Sequence, residues 1–179
     1  MKYLQHVLIL AAFIVLSFLF FRLSLDNGFW DGYDFVGLEN SLRMQADGAA
    51  AFDSSPPFKF QPLVYSIHYL LFKQFFFDAS GYFLFNIILH GLNSFLVYFL
   101  VATLIRDRAI AVLAGLMFVC TVGSYGKSVM IASGLEDLLI TFLTLSTMIC
   151  YFYNELHRDG RLLSPWFLLT LILFVASMF

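Results

Sequence analysis

The sequence predicts an all-α, polytopic membrane protein, and three observations carry that prediction. First, 61% of its 179 residues are hydrophobic and only 12% are charged. A soluble domain of this size is about half apolar and a quarter charged. Second, the charged residues are spaced so that long uncharged runs lie between them. Lys2 and Arg22 enclose 19 residues, Asp78 and Arg106 enclose 27, and Arg108 and Lys127 enclose 18. Asp137 and Glu155 enclose 17, and 18 follow Arg161. Third, a span needs about 17–25 mostly apolar residues, and open sheets cannot cross lipid because their edge groups would go unpaired. Five helical spans are therefore expected, near 4–21, 81–104, 109–125, 137–153 and 164–179, in a single domain covering 1–179. The same figures exclude a soluble globular protein and a disordered one. A net charge of -2 with scattered Lys and Arg excludes a nucleic-acid binder. Cys120 and Cys150 both sit in apolar runs and suggest neither a disulfide framework nor a metal site.

The first run is too long for a signal-peptide core and is followed by no small-residue cleavage site, so it reads as an uncleaved anchor. An outer loop, 24–79, follows. It carries seven acids against Arg43, Lys59 and Lys73. Within it, Phe60 to Phe72 is uncharged but too short to span comfortably, and Pro62 suits a first helical turn. Leu63, Ile67, Leu70 and Leu71 share one face, with Gln61, Tyr65, His68 and Tyr69 elsewhere. That pattern predicts a helix lying in the membrane interface, with a re-entrant or short tilted span as the alternative. The remaining connections are short, at Arg106–Arg108, between Lys127 and Asp137, and from Asn154 to Arg161. With the N-terminus inside, the basic residues divide five and five, but the inner five flank short loops and nine of the twelve acids lie outside. The N-terminus is therefore placed in the cytoplasm and the acidic loop outside.

Three groups of residues are candidates for function. Asp31 and Asp34 lie three apart among aromatics, just beyond the first span. Two carboxylates there could hold a divalent metal against a phosphate or act as a base; a solvated acidic loop is the plainer reading, and spacing alone favours it. Asn86, His90 and Asn93, spaced i, i+4, i+7, share a face of the second span, with Ser94 beside them. Such polar groups face protein or a cavity, and helix–helix hydrogen bonding accounts for them more simply than substrate binding. Lys127, in Ser124-Tyr125-Gly126-Lys127-Ser128, could meet a phosphate; Glu136 and Asp137 read as an acidic helix start favoured by the helix dipole.

A family resemblance joins these groups. Phe60-Gln61-Pro62-Leu63, Tyr69-Leu70-Leu71-Phe72 and the run Gly81-Tyr82-Phe83-Leu84-Phe85-Asn86-Ile87-Ile88-Leu89-His90-Gly91-Leu92-Asn93 occur in that order. Leu116-Met117-Phe118-Val119, Ser128-Val129-Met130-Ile131-Ala132-Ser133 and Asp137-Leu138-Leu139 follow. The ordered set resembles integral-membrane GT-C glycosyltransferases, in particular the protein O-mannosyltransferase-like members, including those bearing tetratricopeptide repeats. The resemblance implies a transferase using a polyprenyl-phosphate sugar, in a bacterial inner membrane or the endoplasmic reticulum membrane. It implies that Asp31, matching the first position of the family's acidic pair, is the base or a ligand for a divalent metal. Gly32 occupies the second position, so Asp34 is its displaced substitute; Val122-Gly123 and Lys127 stand where the family has His-Pro and Glu. The expected partners are the bilayer, a lipid-linked sugar donor and other membrane subunits. The chain is expected to be the N-terminal portion of such an enzyme, incomplete at its C-terminus and inactive alone. A non-catalytic accessory subunit of a larger membrane complex is the alternative.

Overall fold

Helix α1, Lys2–Phe21, runs into a 3-10 turn at Arg22–Asp26. The computed structural model describes residues 2–29, 32–52, 60–121, 128–158 and 164–178. After α1 come α2 (Gly32–Ala46), a 3-10 turn at Gly48–Phe52, α3 (Pro62–Phe75), α4 (Ala79–Ile105) and α5 (Arg108–Val119). A 3-10 turn at Ala132–Gly134 leads into α6 (Leu135–Arg158), and α7 (Pro165–Ala176) closes the order. No strand occurs among the described residues.

Local chemistry sets these boundaries. Asp78 caps α4 by accepting from the Ser80 backbone N–H at 3.1 Å and the Ser80 hydroxyl at 2.7 Å. Arg106 ends that helix in the left-handed region, with φ of 59°. Asp107 then starts α5 by accepting from the N–H groups of Ala109 and Ile110. Two residues thus make a tight antiparallel hairpin of α4 and α5. Ser164 caps α7 through the Phe167 N–H, and Pro165 occupies its first turn.

Three helical stretches are long and apolar enough to cross a membrane: Leu4–Asp26, Ala79–Ile105 and Ala132–Leu156. The expected spans at 109–125 and 164–179 correspond to helices of 12 residues each, α5 and α7. At 1.5 Å per residue such a helix is about 18 Å long, well short of a hydrocarbon core of about 30 Å.

Helix α4 is the hub. Its N-terminal half meets the end of α1, where the Ser17 hydroxyl donates to the Ile87 carbonyl at 2.7 Å. Its C-terminal half meets the start of α1, where the Tyr98 hydroxyl lies 3.2 Å from His6 Nδ1. The two helices are therefore antiparallel. Gly91 permits their close crossing, since a Cβ there would stand 2.8 Å from the Ile14 Cα. Small residues at such crossings let helix backbones approach in lipid. Arg108 donates to the Gln5 side-chain carbonyl at 2.7 Å, placing the α4–α5 turn beside the start of α1. Phe13, Tyr98, Ala111 and Val119 form the core at that side.

At the other end, α2, α3 and the starts of α4 and α6 surround a second core that includes Leu38, Val64, Phe72, Tyr82, Ile87, Leu135 and Leu138. The face that α3 buries includes polar residues from beside its apolar stripe. Val64, Tyr65, His68, Leu71 and Phe72 are its buried residues, while Leu70 is 63% exposed. His68 turns inward against Gly37 of α2 and Tyr82 of α4, and Tyr65 packs against Met44, Ala50 and Ala51, while Leu63 and Ile67 of the apolar stripe are half-buried and Leu70 is exposed. The outward faces of the long helices are apolar: Leu4, Val7, Leu8, Val15 and Leu19 of α1 are all more than half exposed. Soluble monomers rarely carry a continuous apolar patch of that extent.

Candidate functional site

The first turn of α2 puts Asp34 inside the protein, fully buried, rather than in a solvated loop. Its Oδ1 accepts from the Ser133 backbone N–H at 2.7 Å, joining the segment after α1 to the turn before α6. That turn is pinned from two further directions. The Asn86 amide donates to the Ile131 carbonyl at 2.8 Å. The Ser128 hydroxyl donates to Asp137 Oδ2 at 2.6 Å. Gly134 is required where the turn folds on itself, because a Cβ there would fall 1.8 Å from the Ser128 carbonyl oxygen.

Beside Asp34, His68 of α3 is 3% exposed and packs over Tyr82, with ring centroids 5.8 Å apart. Gly37 makes room for the imidazole, since a Cβ on it would sit 3.1 Å from His68 Cε1. Burial pushes the His68 pKa down to about 4, with the negative charge of Asp34 opposing that fall. The imidazole is therefore neutral at pH 7. Its Nδ1 has no hydrogen-bond partner among the described residues.

His68 lines a small half-open cleft at this end of the bundle, together with Tyr33 and Gly37 of α2, Tyr65 of α3, Ser133 and Glu136. Gln61, preceding α3, donates to the Glu136 carboxylate across the rim. The cleft has a volume of about 40 Å³. A water needs at least about 10–15 Å³ in such measures, so the cleft holds a few water-sized groups. No lysine or arginine lines it among the described residues. On the other side of the α3 N-terminus lies a hollow of about 420 Å³, apolar in its lining, bounded by Phe52, Phe60, Pro62, Leu63, Ser66 and Ala176.

The residues singled out in the sequence fall in different places. Asp34 lies in the wall of the cleft, while Asp31 and Lys127 lie outside the described residues. Asn86, His90 and Asn93 are all buried within the bundle. Asn93 donates to the Leu138 carbonyl at 2.9 Å, tying α4 to α6. His90 Nε2 lies 3.3 Å from the Val119 carbonyl at the end of α5, and its ring stacks on Phe118. This row of side chains holds carbonyls at the end of α5, in the turn before α6 and in the first turn of α6. Their remaining polar atoms, Asn86 Oδ1, His90 Nδ1 and Asn93 Oδ1, have no partner among the described residues. No group of three or more His, Cys, Asp or Glu side chains able to hold a metal occurs among the described residues.

Sequence reasoning passed over His68, Gln61 and Glu136 as site residues. His68 read as part of the polar side of an interfacial helix, and Glu136 as an acidic helix start. No local signal marks either, because only the packing of α3 between α2 and α6 brings them together.

No family model, curated protein or solved structure matches the chain.

Proposed function

We propose that this chain is the membrane-embedded N-terminal part of a GT-C-like glycosyltransferase that uses a polyprenyl-phosphate sugar. One observation carries the reading: an acid from the segment after the first helix, Asp34, is buried in the wall of a polar cleft at one end of the helix bundle. In this reading the bundle crosses the bilayer five times. The path of the chain supports that count. Arg108 lies beside Gln5, and Ile131 beside Asn86, so α5 starts near one end of α4 and the turn before α6 lies towards the other. Asn86 and Arg106 are 20 residues apart on or at the end of α4, which corresponds to about 30 Å, the thickness of a hydrocarbon core. Helix α7 likewise runs from Asn154, to which Ser164 is hydrogen-bonded, back to the α3 N-terminus at Ala176.

The donor's lipid chain would lie in the apolar hollow beside α3. Asp31 would take the proton of the acceptor hydroxyl or hold a divalent metal on the donor phosphate, and Lys127 would meet that phosphate. Asp34 would fix the geometry of the wall. The chemistry asks mainly for positioning and charge stabilisation, because a lipid phosphate is already a good leaving group.

The test is donor binding and transfer in nanodiscs. Polyprenyl-phosphate sugars are expected to be retained in preference to phosphatidylglycerol. In a form that transfers sugar, Asp31→Asn is expected to reduce turnover by roughly a hundredfold, the scale of a lost general base. Equal retention of both lipids, together with no transfer, refutes the reading. The small cleft favours a second reading, a non-catalytic subunit of a larger membrane complex. Co-purification of a stoichiometric membrane partner, without donor binding, is its expected signature.

A further inference from the structure

We infer that the corner between α3 and α4, residues 75–78, is an aromatic wedge seated in the phospholipid headgroup layer, with Lys73 beside it reaching a lipid phosphate. Phe76 is the first pointer. Its φ of 52° and ψ of -116° lie where L side chains are strained and glycine is not. The Asp78 N–H donates to the Phe75 carbonyl at 2.9 Å, which closes a four-residue turn with Phe76 in its second position. A positive φ at that position is the mark of a type II′ turn, where glycine is the favoured residue. A phenylalanine stands there instead, and its ring faces outward: Phe76 is 55% exposed and Phe77 is 52% exposed.

The turn is held from both sides. The Phe76 N–H donates to the Phe72 carbonyl at 2.8 Å, and the Tyr82 hydroxyl donates to the Phe76 carbonyl at 2.9 Å. Gly81 lets the Phe75 ring fold down onto α4, since a Cβ there would stand 2.2 Å from that ring. One phenylalanine of the three therefore packs inward. The other two rest on the buried Phe72 ring, with centroids 5.0 and 5.8 Å from it. Leu70, Lys73 and Gln74, all exposed, complete this side of the corner.

Depth and chemistry choose the occupant. Helix α4 has 27 residues. At 1.5 Å per residue it is about 40 Å long against a hydrocarbon core of about 30 Å, so its start reaches the headgroup layer. The exposed residues that follow the corner on α4, Leu84 and Ile88, are apolar and continue the surface towards the core. Apolar rings beside a lysine form an interfacial anchor: the rings enter the acyl boundary while the long stem keeps the ammonium among the phosphates. The Lys73 Nζ lies 5.6 Å from the Tyr69 ring centroid, which keeps its stem along α3. The neighbouring Asp78 carboxylate is engaged at Ser80 through the cap of α4. Lysine is depleted where protein meets protein, so this surface suits lipid better than a second chain.

The test is depth-dependent fluorescence quenching of the full chain in phosphatidylcholine nanodiscs. Phe77→Trp puts an indole at the corner, and the parent, with Trp30 and Trp166, supplies the background to subtract. An indole about 5–10 Å into the headgroup boundary is expected to be quenched about twofold more by lipids brominated near the headgroup than by lipids brominated near the methyl end. Iodide is expected to quench it about threefold less than N-acetyltryptophanamide in buffer. Lys73→Glu turns a carboxylate towards the phosphates and is expected to raise iodide quenching about twofold. Thermal unfolding reports whether each variant is folded, and Leu70→Trp is a second probe with the same expected pattern. Iodide quenching equal to that of the free indole places the corner in water and overturns the inference. Protection from iodide and from both brominated lipids places it under protein, and stronger quenching by the deeper bromines places it in the acyl core; either result overturns it as well. Unchanged iodide quenching in folded Lys73→Glu overturns the phosphate contact. The inference rests on α4 crossing the membrane and not on the transferase reading, which is tested separately by donor retention and turnover.

Discussion

Replacing Asp34 with alanine is expected to destabilise the protein by about 3 kcal/mol. Asp34 is fully buried, and its Oδ1 accepts from the Ser133 N–H at 2.7 Å. A hydrogen bond to a charged group contributes about 1.5–3 kcal/mol, and a buried N–H left without its acceptor costs about 1–3 kcal/mol. These quantities overlap, so roughly 2–4 kcal/mol is the working range. Asp34→Asn keeps an oxygen that can accept from Ser133, and its loss should be smaller, about 1–2 kcal/mol. For a chain of this length, 1 kcal/mol corresponds to roughly 2–4 °C in Tm. The alanine variant should therefore melt roughly 6–12 °C below the parent, and the asparagine variant between the two. The measurement is thermal unfolding in detergent or nanodiscs, followed by tryptophan fluorescence at fixed lipid content. If Asp34→Ala melts within 1–2 °C of the parent, the carboxylate is a solvated loop group after all, and the account of the cleft wall collapses.

Three further outcomes are expected. Single cysteines at Asp47 and Glu155 should react with an impermeant thiol reagent from opposite sides of sealed vesicles; labelling from the same side would refute five crossings. His90→Leu removes the contact with the Val119 carbonyl and should lower stability by roughly 1 kcal/mol, the upper part of the range measured for membrane hydrogen bonds; loss of function at unchanged stability would instead mark His90 as a ligand-binding group. His68 titrates near 6.5 when unfolded and at about 4 when folded, so the unfolded chain binds the proton more tightly. Its contribution is fully present above about pH 6.5 and is lost as pH falls towards 4, by roughly 3 kcal/mol at 1.36 kcal/mol per unit. Stability measured from pH 7.5 to 4.5 should fall less steeply in His68→Gln, and identical slopes would contradict the buried, neutral imidazole.

The long helices α1, α4 and α6 were legible in the sequence because they rest on one-dimensional signals, whereas α2 lies within the stretch read as an outer loop and α5 and α7 are shorter than the spans expected there. The charges that bound the uncharged runs also make the caps, as Asp78 and Asp107 show. The burial of Asn86, His90 and Asn93 followed from the cost of polar groups in lipid, and all three lie inside the bundle. The buried face of α3 was not legible. Its apolar stripe, Leu63, Ile67, Leu70 and Leu71, gave no sign that the neighbouring face carrying Tyr65 and His68 would pack inside the protein. The position of Asp34 was equally hidden. Nothing near Asp34 signals that its partner is the backbone of Ser133, in a turn whose shape depends on Gly134 and Asn86. A cleft built from three segments distant in sequence leaves no local pattern in any one of them.

That distance has a consequence for biogenesis. The Asp34–Ser133 contact closes across 99 positions of chain. At about 5–20 residues per second of synthesis, the ribosome needs roughly 5–20 s to deliver the second partner after the first. The α1–α4 crossing at Gly91 can form earlier, because both of its helices precede Ser133. During that interval α2 carries a carboxylate made for an interior that does not yet exist. The cleft is thus among the last parts of the molecule to be completed. Defects in the turn before α6 should therefore appear first as protease sensitivity of α2, far from the altered residue in sequence, while the α1–α4 pair remains intact.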